Sequence, residues 1–351
     1  MSIFKGRSAH VGIALENESG TAANAAEYFI PRMDSSLKDT PEQIQNESSF
    51  GNIAHYNDQV TTGVHGEGDI QAKLWHKGLY YYLCLIAGQK PTKEALEDGS
   101  FKYSFRVANN NNHLAATIFS QEPNRSCKYP SAMLNEASIE WSPSDFASLT
   151  MSFISKRSVD IDASMITPAY ATDDAEFKPD QLEFKLAENA AALATADVAK
   201  LFRSVSMTIT KNVEGEQTSD SGQDYGAMMN GDLEASISLE KLYTDQAYRN
   251  ISLNDEARAI SFGFVDTKNM AGTTNPTSLR FIFPKVMMSS YETSMGLSDT
   301  ATESLEGIAA LDIADGSLFT IELVTKYDYD QSESQNSDNG ADDNTEPDDG
   351  E

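Results

Sequence analysis

Six segments of the chain alternate apolar and polar residues with a period of two, and no other feature constrains the fold as much. This period places the apolar side chains on one face of a β-strand and the polar ones on the other. Strands with one buried and one solvated face are typical of antiparallel sheets. The pattern therefore predicts a mainly β protein. The segments are Phe101 to Val107, Leu149 to Phe153, Leu182 to Leu186, Val205 to Ile209, Ile260 to Phe264 and Phe319 to Leu323.

Helical spacing of apolar residues appears in two places, each directly after a predicted strand. One apolar stripe runs from Leu79 to Ile86 and the other from Leu239 to Ile251. Apolar residues three or four positions apart predict amphipathic helices. A third segment, Ala187 to Phe202, is rich in alanine and fits either a helix or a linker between two halves of the chain.

An internal repeat includes each of the two helical stripes and the strand that precedes it. Gly68 to Leu74 aligns with Gly231 to Ile237 at an offset of 163 residues. That offset is half of the length that remains when the C-terminal tail is removed. An aromatic-proline step recurs at a different offset, as Tyr129-Pro130 and Phe283-Pro284. Repetition at half the chain length predicts a tandem duplication.

The chain is strongly acidic, with 54 Asp and Glu against 26 Lys and Arg and a formal net charge of −28. Ten of the acidic residues lie between Asp328 and Glu351, so the rest of the chain is acidic as well. Such a surface repels phosphate, which argues against a protein that grips nucleic acid. The segment from Gln331 to Glu351 lacks apolar residues for a core and is predicted to be disordered.

Membrane anchors, disulfides, metal sites and cofactors are not expected. No apolar run approaches the roughly 20 residues that cross a bilayer, and the N-terminus does not read as a secretory signal. Cys84 and Cys127 occur in unrelated contexts and are predicted to be buried thiols. The five histidines fall at no metal-ligand spacing.

The sequence contains none of the common catalytic motifs, so no catalytic residue is predicted. It has no Gly-x-Ser-x-Gly elbow, no phosphate loop and no His-Glu-x-x-His. The glycine-rich run Gly63 to Gly68 opens a strand instead of leading into a helix, which favours a turn over a nucleotide cradle. Acidic residues are so numerous that carboxylate pairs carry no signal of glycoside cleavage.

Short segments at the N-terminus and throughout the second half follow one another in a characteristic order. In the second half these segments are Tyr225 to Ala227, Gly231 to Leu239, Ala259 to Val265, Leu279 to Val286, Gly307 to Leu311 and Leu318 to Val324. At the N-terminus they are Gly6-Arg7, Val11 to Ala14 and Glu18 to Ala22. In this order they resemble segments of the major tail tube proteins of long-tailed, siphovirus-like phages. No single segment is diagnostic, and the order carries the resemblance.

The resemblance implies a β-sandwich or barrel domain with a flanking α-helix, here duplicated in tandem. It implies a structural virion protein that stacks in rings and forms the conduit for viral DNA. Inner sheets of neighbouring subunits would join into a barrel, and an acidic wall would let DNA pass without specific binding. The expected partners are other copies of the chain, the tape-measure protein and other tail proteins, first in the host cytoplasm and then in the virion.

Two other functions share parts of this pattern. A β-sandwich adhesin or capsid decoration protein would show the same alternation and acidity, but it does not require the N-terminal segments or the repeat. An acidic carbohydrate-active enzyme would show the charge, but it would need a catalytic constellation.

The repeat and the composition divide the chain into five predicted regions. They are an N-terminal arm (1–24), a first tube-like domain (25–163), a connecting segment (164–200), a second tube-like domain (201–328) and an acidic tail (329–351). With two tube domains per chain, we expect a ring of three chains with pseudo-six-fold symmetry, and not a ring of six chains.

The polar faces of the repeated strands are the candidate lumen or inter-subunit surface. Alternation leaves polar residues opposite the apolar ones on each repeated strand. An ordinary solvated face is the alternative. The candidate residues are Asp69, Gln71 and Lys73 in the first half and Asp232, Glu234 and Ser236 in the second.

We predict that deleting Gln331 to Glu351 leaves folding and ring stacking intact, because the segment offers no apolar surface to a core. Electron microscopy of the truncated protein beside the full chain checks this. Loss of assembly by the truncated protein would contradict it.

Overall fold

The computed structural model describes residues 4–17 and 20–330, and within them the chain is mainly β, as predicted. Its helices are α1 Leu79–Ala87 and α2 Ala247–Leu253, with short 3₁₀ helices at Gly6–Ser8, Ala163–Met165, Pro179–Gln181 and Ala190–Ala194. Its strands are β1 His10–Leu15, β2 Tyr28–Phe29, β3 Arg32–Ser35, β4 Lys38–Asn46, β5 Asp58–Lys73, β6 Thr92–Ala95, β7 Phe101–Arg106, β8 Ala116–Glu122, β9 Arg125–Ser142, β10 Asp145–Lys156, β11 Val159–Asp160, β12 Leu182–Ala187, β13 Phe202–Thr210, β14 Val213–Glu216, β15 Ala227–Asn230, β16 Glu234–Leu242, β17 Arg258–Met270, β18 Pro276–Ser294, β19 Thr302–Ala309 and β20 Thr320–Thr325. The predicted disordered tail, Gln331 to Glu351, and the Glu18-Ser19 step of the N-terminal motif lie outside the described residues.

The six alternating segments are confirmed as strands. In β10, Leu149, Met151 and Phe153 are buried, while the residues between them are half-buried. The other five segments coincide with β7, β12, β13, β17 and β20. The two predicted buried thiols, Cys84 and Cys127, are confirmed as buried.

Eight strands form one continuous antiparallel sheet, hereafter the long sheet. Their order is β4–β5–β10–β9–β13–β16–β19–β18, with β3 also pairing with β5 beside β4. The first four strands come from the N-terminal half of the chain and the last four from the C-terminal half. The β9–β13 ladder joins the two halves and places Val205 opposite Trp141. One sheet therefore runs through both halves.

Strands β9 and β18 each belong to two sheets. The register of β9 against β10 shifts between Glu136 and Leu134, and that of β18 against β19 shifts between Met288 and Ser290. Such β-bulges bend and twist a strand. Before its bulge, β9 pairs with β8 and β11, and β18 pairs with β17 and β20. These parts form outer sheets that share one apolar core with the long sheet.

Helix α1 is the predicted helix of the first half, and it lies inside this core. All nine of its residues are buried. It ends at Gly88, which adopts φ 75° and donates its N–H to the Cys84 carbonyl. A Cβ at Gly88 would lie 2.3 Å from the His113 ring. The left-handed cap and the close approach of the ring both require glycine there.

The prediction of a second helix from Leu239 to Ile251 is wrong for the first part of that segment. Strand β16 continues to Leu242, and α2 begins at Ala247. Leu239 is buried in the middle of the long sheet, opposite Leu305. Apolar residues at positions 239 and 242 fit a helix and the end of a strand equally well, so spacing alone could not separate the two.

Neither a single helix nor a plain linker describes the segment Ala187 to Phe202 fully. Strand β12 ends at Ala187, a 3₁₀ helix covers Ala190–Ala194, and β13 begins at Phe202. No α-helix forms there in the described part of the chain. Alanine provides helix propensity but little apolar surface, and packing decides whether so short a helix survives.

The glycine-rich run Gly63 to Gly68 was predicted as a turn, and this is wrong because the run lies inside β5. Gly68 has φ +145°, and a Cβ there would lie 2.6 Å from the Ser36 carbonyl oxygen. The glycine therefore permits a close approach of two backbones within a strand.

The two halves repeat one order of elements and ladders. The ladder series β5–β10–β9–β8 has its counterpart in β16–β19–β18–β17, and α1 and α2 each follow the first strand of the series. Aligning the two bulges places Tyr129-Pro130 on Phe283-Pro284. The ladders then place Ile70 on Leu239, an offset of 169 instead of 163 residues.

Several ladders cross the boundaries between the predicted regions. The division of the chain into these five regions stays a prediction. Strand β1 of the predicted arm pairs with β8. Strand β12 lies in the predicted connecting segment and pairs with β17. Strand β7 of the first predicted domain pairs with β20 of the second. The halves are thus interleaved in the outer sheets as well as joined in the long sheet.

Lys211 connects the halves within the core. It follows β13 and is 2% exposed, and its Nζ donates to the Leu85 carbonyl at the C-terminal end of α1. Its backbone N–H donates to the Asn135 carbonyl across the β9–β13 ladder at 2.7 Å. Burial lowers the pKa of Lys211 from its usual 10.5 to about 7.

We predict that Lys211 makes the protein more stable as pH rises from about 7 to about 10.5. In that window the unfolded chain binds the proton that the folded chain has lost, so the free energy of unfolding rises by up to about 1.4 kcal/mol per pH unit. Lys211→Met should remove this slope. Denaturant unfolding across the window measures it, with Lys200→Met at an exposed position as control. Equal slopes in wild type and Lys211→Met would contradict the prediction.

Candidate functional site

The long sheet has one apolar and one polar face. The apolar face packs into the core through residues such as Ile70, Met151 and Ile237. The opposite face carries mainly Ser, Thr, Glu and Asp along the strands of both halves. We name this surface the polar face. Alternation within each strand and antiparallel register between strands together bring these side chains to one side.

Residues of five neighbouring strands line up in a row across the polar face. Asp69 lies opposite Ser152, which lies opposite Glu136. Glu136 lies opposite Thr210, which lies opposite Glu234. The Ser152 hydroxyl donates to Asp69 at 2.6 Å. The row is therefore continuous across the junction of the two halves.

Five of the six predicted surface residues lie on this face. Asp69, Gln71 and Lys73 alternate with buried residues on β5, and Glu234 and Ser236 do so on β16. Gln71 and Ser236 belong to one cross-strand row, through Thr150, Ser138 and Thr208. Asp232 precedes β16 in an exposed connection, so the structure does not bring it into the row.

The polar face is predominantly acidic. Lys38 and Arg203 each contact a carboxylate there, Glu67 at 3.3 Å and Glu240 at 3.2 Å. The Lys73 ammonium lies 3.9 Å from the centre of the Phe146 ring. Ladder register places these acidic residues on the face: Glu42, Glu67, Asp69, Glu136, Glu140, Glu234, Glu240, Glu292 and Glu306. Carboxylates thus outnumber the cations that reach it.

A buried ion pair interrupts the apolar face of the long sheet near β18. Lys241 and Glu303 lie opposite each other on β16 and β19, with Nζ and Oε1 3.2 Å apart. The Tyr291 hydroxyl donates to Glu303 at 3.1 Å, and Lys241 lies over the ring of Tyr248 from α2. Burial and the hydrogen bond to Glu303 raise the pKa of Tyr291 to about 12. The cluster therefore connects α2 with β16, β18 and β19 of the long sheet.

Within the described residues, no group of three or more His, Cys, Asp or Glu side chains is arranged to hold a metal ion. Over the same residues, no helix is both long and apolar enough to span a bilayer. The geometry of the polar face is that of a broad surface built from strand residues.

Residues 6–309 match the family described as phage tail tube protein. The chain belongs to this family. As a member of this family, the tail tube protein is a structural subunit of a phage tail and a virion component. No curated protein matches the chain.

Two solved structures are similar to parts of this tail tube protein. The SPP1 tail tube is 12% identical, with a TM-score of 0.30 over 38% of this chain and 74% of that chain. A chain of the virion of a native gene transfer agent particle is 16% identical, with a TM-score of 0.27 over 37% of this chain and 92% of that one.

Sequence analysis of the tail tube protein missed the polar residues between the two repeated strands. Glu136, Ser152 and Thr210 complete the row, but they lie outside the two sequence segments that align, Gly68 to Leu74 and Gly231 to Ile237. The alternation that predicts β10 and β13 carried the signal, because the residues between their apolar positions are Ser and Thr. Strand β9, which was not predicted, alternates in the same way from Glu136 to Ser142, with Glu and Ser between its apolar positions. Only the ladders show that these residues meet.

We predict that Glu303→Gln destabilises the tail tube protein by about 3–5 kcal/mol, because it leaves the Lys241 ammonium buried without its counter-ion. Glu306→Gln on the same strand is the matched control, since Glu306 is exposed on the polar face. We expect that change to stay within about 0.5 kcal/mol. Urea unfolding of both variants measures the difference. Equal stabilities of the two would show that the pair contributes nothing.

Proposed function

We propose that the chain is the major tail tube subunit of a long-tailed, siphovirus-like phage, and that rings of three chains stack into the conduit for DNA ejection. The rings would form in the host cytoplasm around a tape-measure protein and join other tail proteins. The observation that carries this proposal is the long sheet, which joins two similar halves and, among the described residues, has an unpaired edge at each end.

The two ends of the long sheet are counterparts of the strands that join its halves. Strand β4 pairs with β5 on one side, as β13 pairs with β16. Beyond its bulge, β18 pairs with β19, as β9 pairs with β10. Within the chain, β9 and β13 pair with each other, so that neither strand has a free edge there. Strand β18 of one chain and β4 of the next would do the same, and closure of the ring would leave no free edge in the long sheet.

The proposed tandem duplication would set the number of chains in the ring. Each half contributes four strands to the long sheet, so three chains would close a barrel of 24 strands. Strands about 4.8 Å apart and tilted by about 40° give a backbone diameter of about 48 Å. Barrels of about 16–18 strands already enclose a water-filled channel. Covalent connection of two halves also raises their effective concentration during assembly.

The polar face is the proposed wall of the lumen. The apolar face is covered by the outer sheets and α1, so closure of the long sheet turns the polar face inward. Its carboxylates repel phosphate, and it offers few cations that could replace DNA counter-ions. DNA would therefore pass without specific binding. Asp69, Gln71, Lys73, Glu234 and Ser236 would line the lumen.

Electron microscopy of assembled tubes tests the proposal. We expect a cross-section with strict three-fold symmetry, pseudo-six-fold density and the polar face on the inside. Six chains per ring would contradict the tandem arrangement and leave the tube function intact. Monodisperse globules, or the polar face on the outside of the tube, would contradict the conduit.

A further inference from the structure

We propose that the contact between neighbouring chains is a β18–β4 ladder in the register of the internal β9–β13 ladder, with Thr40 opposite Ser290 and Lys38 opposite Glu292. The proposal rests on the proposed ring. It adds the residue pairs, and with them a charge pair that selects the correct alignment of two copies of the chain.

The internal ladder provides the template. Thr210 lies opposite Glu136, and Thr208 lies opposite Ser138. The Lys211 N–H donates to the Asn135 carbonyl at 2.7 Å, one step further along. Directly opposite residues that exchange backbone hydrogen bonds alternate with pairs that do not. The Thr210–Glu136 and Thr208–Ser138 pairs are therefore of the non-hydrogen-bonded kind, with close side chains.

The two bulges show which residues of β18 are equivalent to residues of β9. The register shift skips Asn135 in β9 and Ser289 in β18, which makes these two residues equivalent. Ser290 then stands where Glu136 does, and Glu292 stands where Ser138 does. Both Ser290 and Glu292 point to the polar face, because their β19 partners are Glu306 and Ser304.

The ladders formed with β5 and β16 show which residues of β3 and β4 are equivalent to residues of β13. Ile70 and Leu239 are equivalent, and they lie opposite Ser35 and Val205. Ser35 therefore corresponds to Val205. Five residues further along, Thr40 corresponds to Thr210, and Lys38 corresponds to Thr208. Thr40 and Thr210 occupy the same place against His65 and Glu234, which are themselves equivalent.

Two features of the sequence at these edges fit the register. Lys38 and Glu292 carry opposite charges and are both exposed, and Lys38 already contacts Glu67 at 3.3 Å on the polar face. Pro41 stands where Lys211 does in the template. Proline has no N–H to donate, so it suits the end of a ladder at a sheet edge. The inter-chain ladder would end at Thr40.

Disulfide cross-linking tests the register in assembled tubes of the full chain. Thr40→Cys combined with Ser290→Cys places two thiols at a non-hydrogen-bonded pair, where Cα atoms are about 4.5 Å apart and a disulfide can form. Thr40→Cys with Glu292→Cys is the matched control, shifted by two residues on the same face. The native Cys84 and Cys127 are buried and should not compete.

On a denaturing gel without reductant, we expect oxidised tubes of the variant that combines Thr40→Cys with Ser290→Cys to give dimers and then trimers as the largest species. We expect the control to remain monomeric. Cross-linking of the control alone, or none in intact tubes, would overturn the register. A series that continues to hexamers would support the register and contradict three chains per ring. Absence of tubes in the unmodified protein would instead count against the proposed function.

Charge exchange tests the Lys38–Glu292 pair separately. Lys38→Glu and Glu292→Lys should each raise the protein concentration needed for half-assembly by about two- to five-fold per contact at low salt. The double variant should return it to the wild-type value. A double variant that assembles as poorly as the sum of the two single changes would show that these residues do not face each other.

Discussion

The pairing of backbone groups along the edges of the long sheet is the constraint on which the rest of the structure depends. A buried N–H or C=O without a partner costs free energy, so each strand of a sheet needs a neighbour on both sides or an exposed edge. The β9–β13 ladder satisfies this requirement within the chain and makes the two halves one sheet. It also leaves β4 and the end of β18 as edges, and our proposed assembly follows from them.

The apolar face of the long sheet contributes to folding stability, and the polar face determines the charge of its surface. Apolar residues on one face share a core with α1 and the outer sheets. Polar and mostly acidic residues on the other face contribute little to that core. A change on the polar face can therefore alter the surface charge with little effect on stability. The Lys241–Glu303 pair is the exception on the apolar face, where a lost charge partner remains buried.

The repeat is stronger in topology than in sequence. The visible sequence match, Gly68 to Leu74 with Gly231 to Ile237, is displaced by six residues from the correspondence that the ladders give. The aromatic-proline steps at Tyr129 and Phe283 mark equivalent positions before the two bulges. An even displacement keeps the same side chains on the same face of a strand. Alternation can thus produce a plausible alignment in the wrong register.

The sequence by itself determined the strand content, the presence of helix α1, the acidic character and the resemblance to tail tube proteins, because all of these depend on local pattern and composition. Local pattern also predicted polar side chains on one face of the repeated strands, at Asp69, Gln71, Lys73, Glu234 and Ser236. Only the tertiary structure decided that Asp69 and Glu234 belong to one row, that β16 runs to Leu242, and that Lys211 enters the core beside α1. Register, strand order and burial depend on contacts between residues far apart in the chain, and no local period specifies which strand lies next to which.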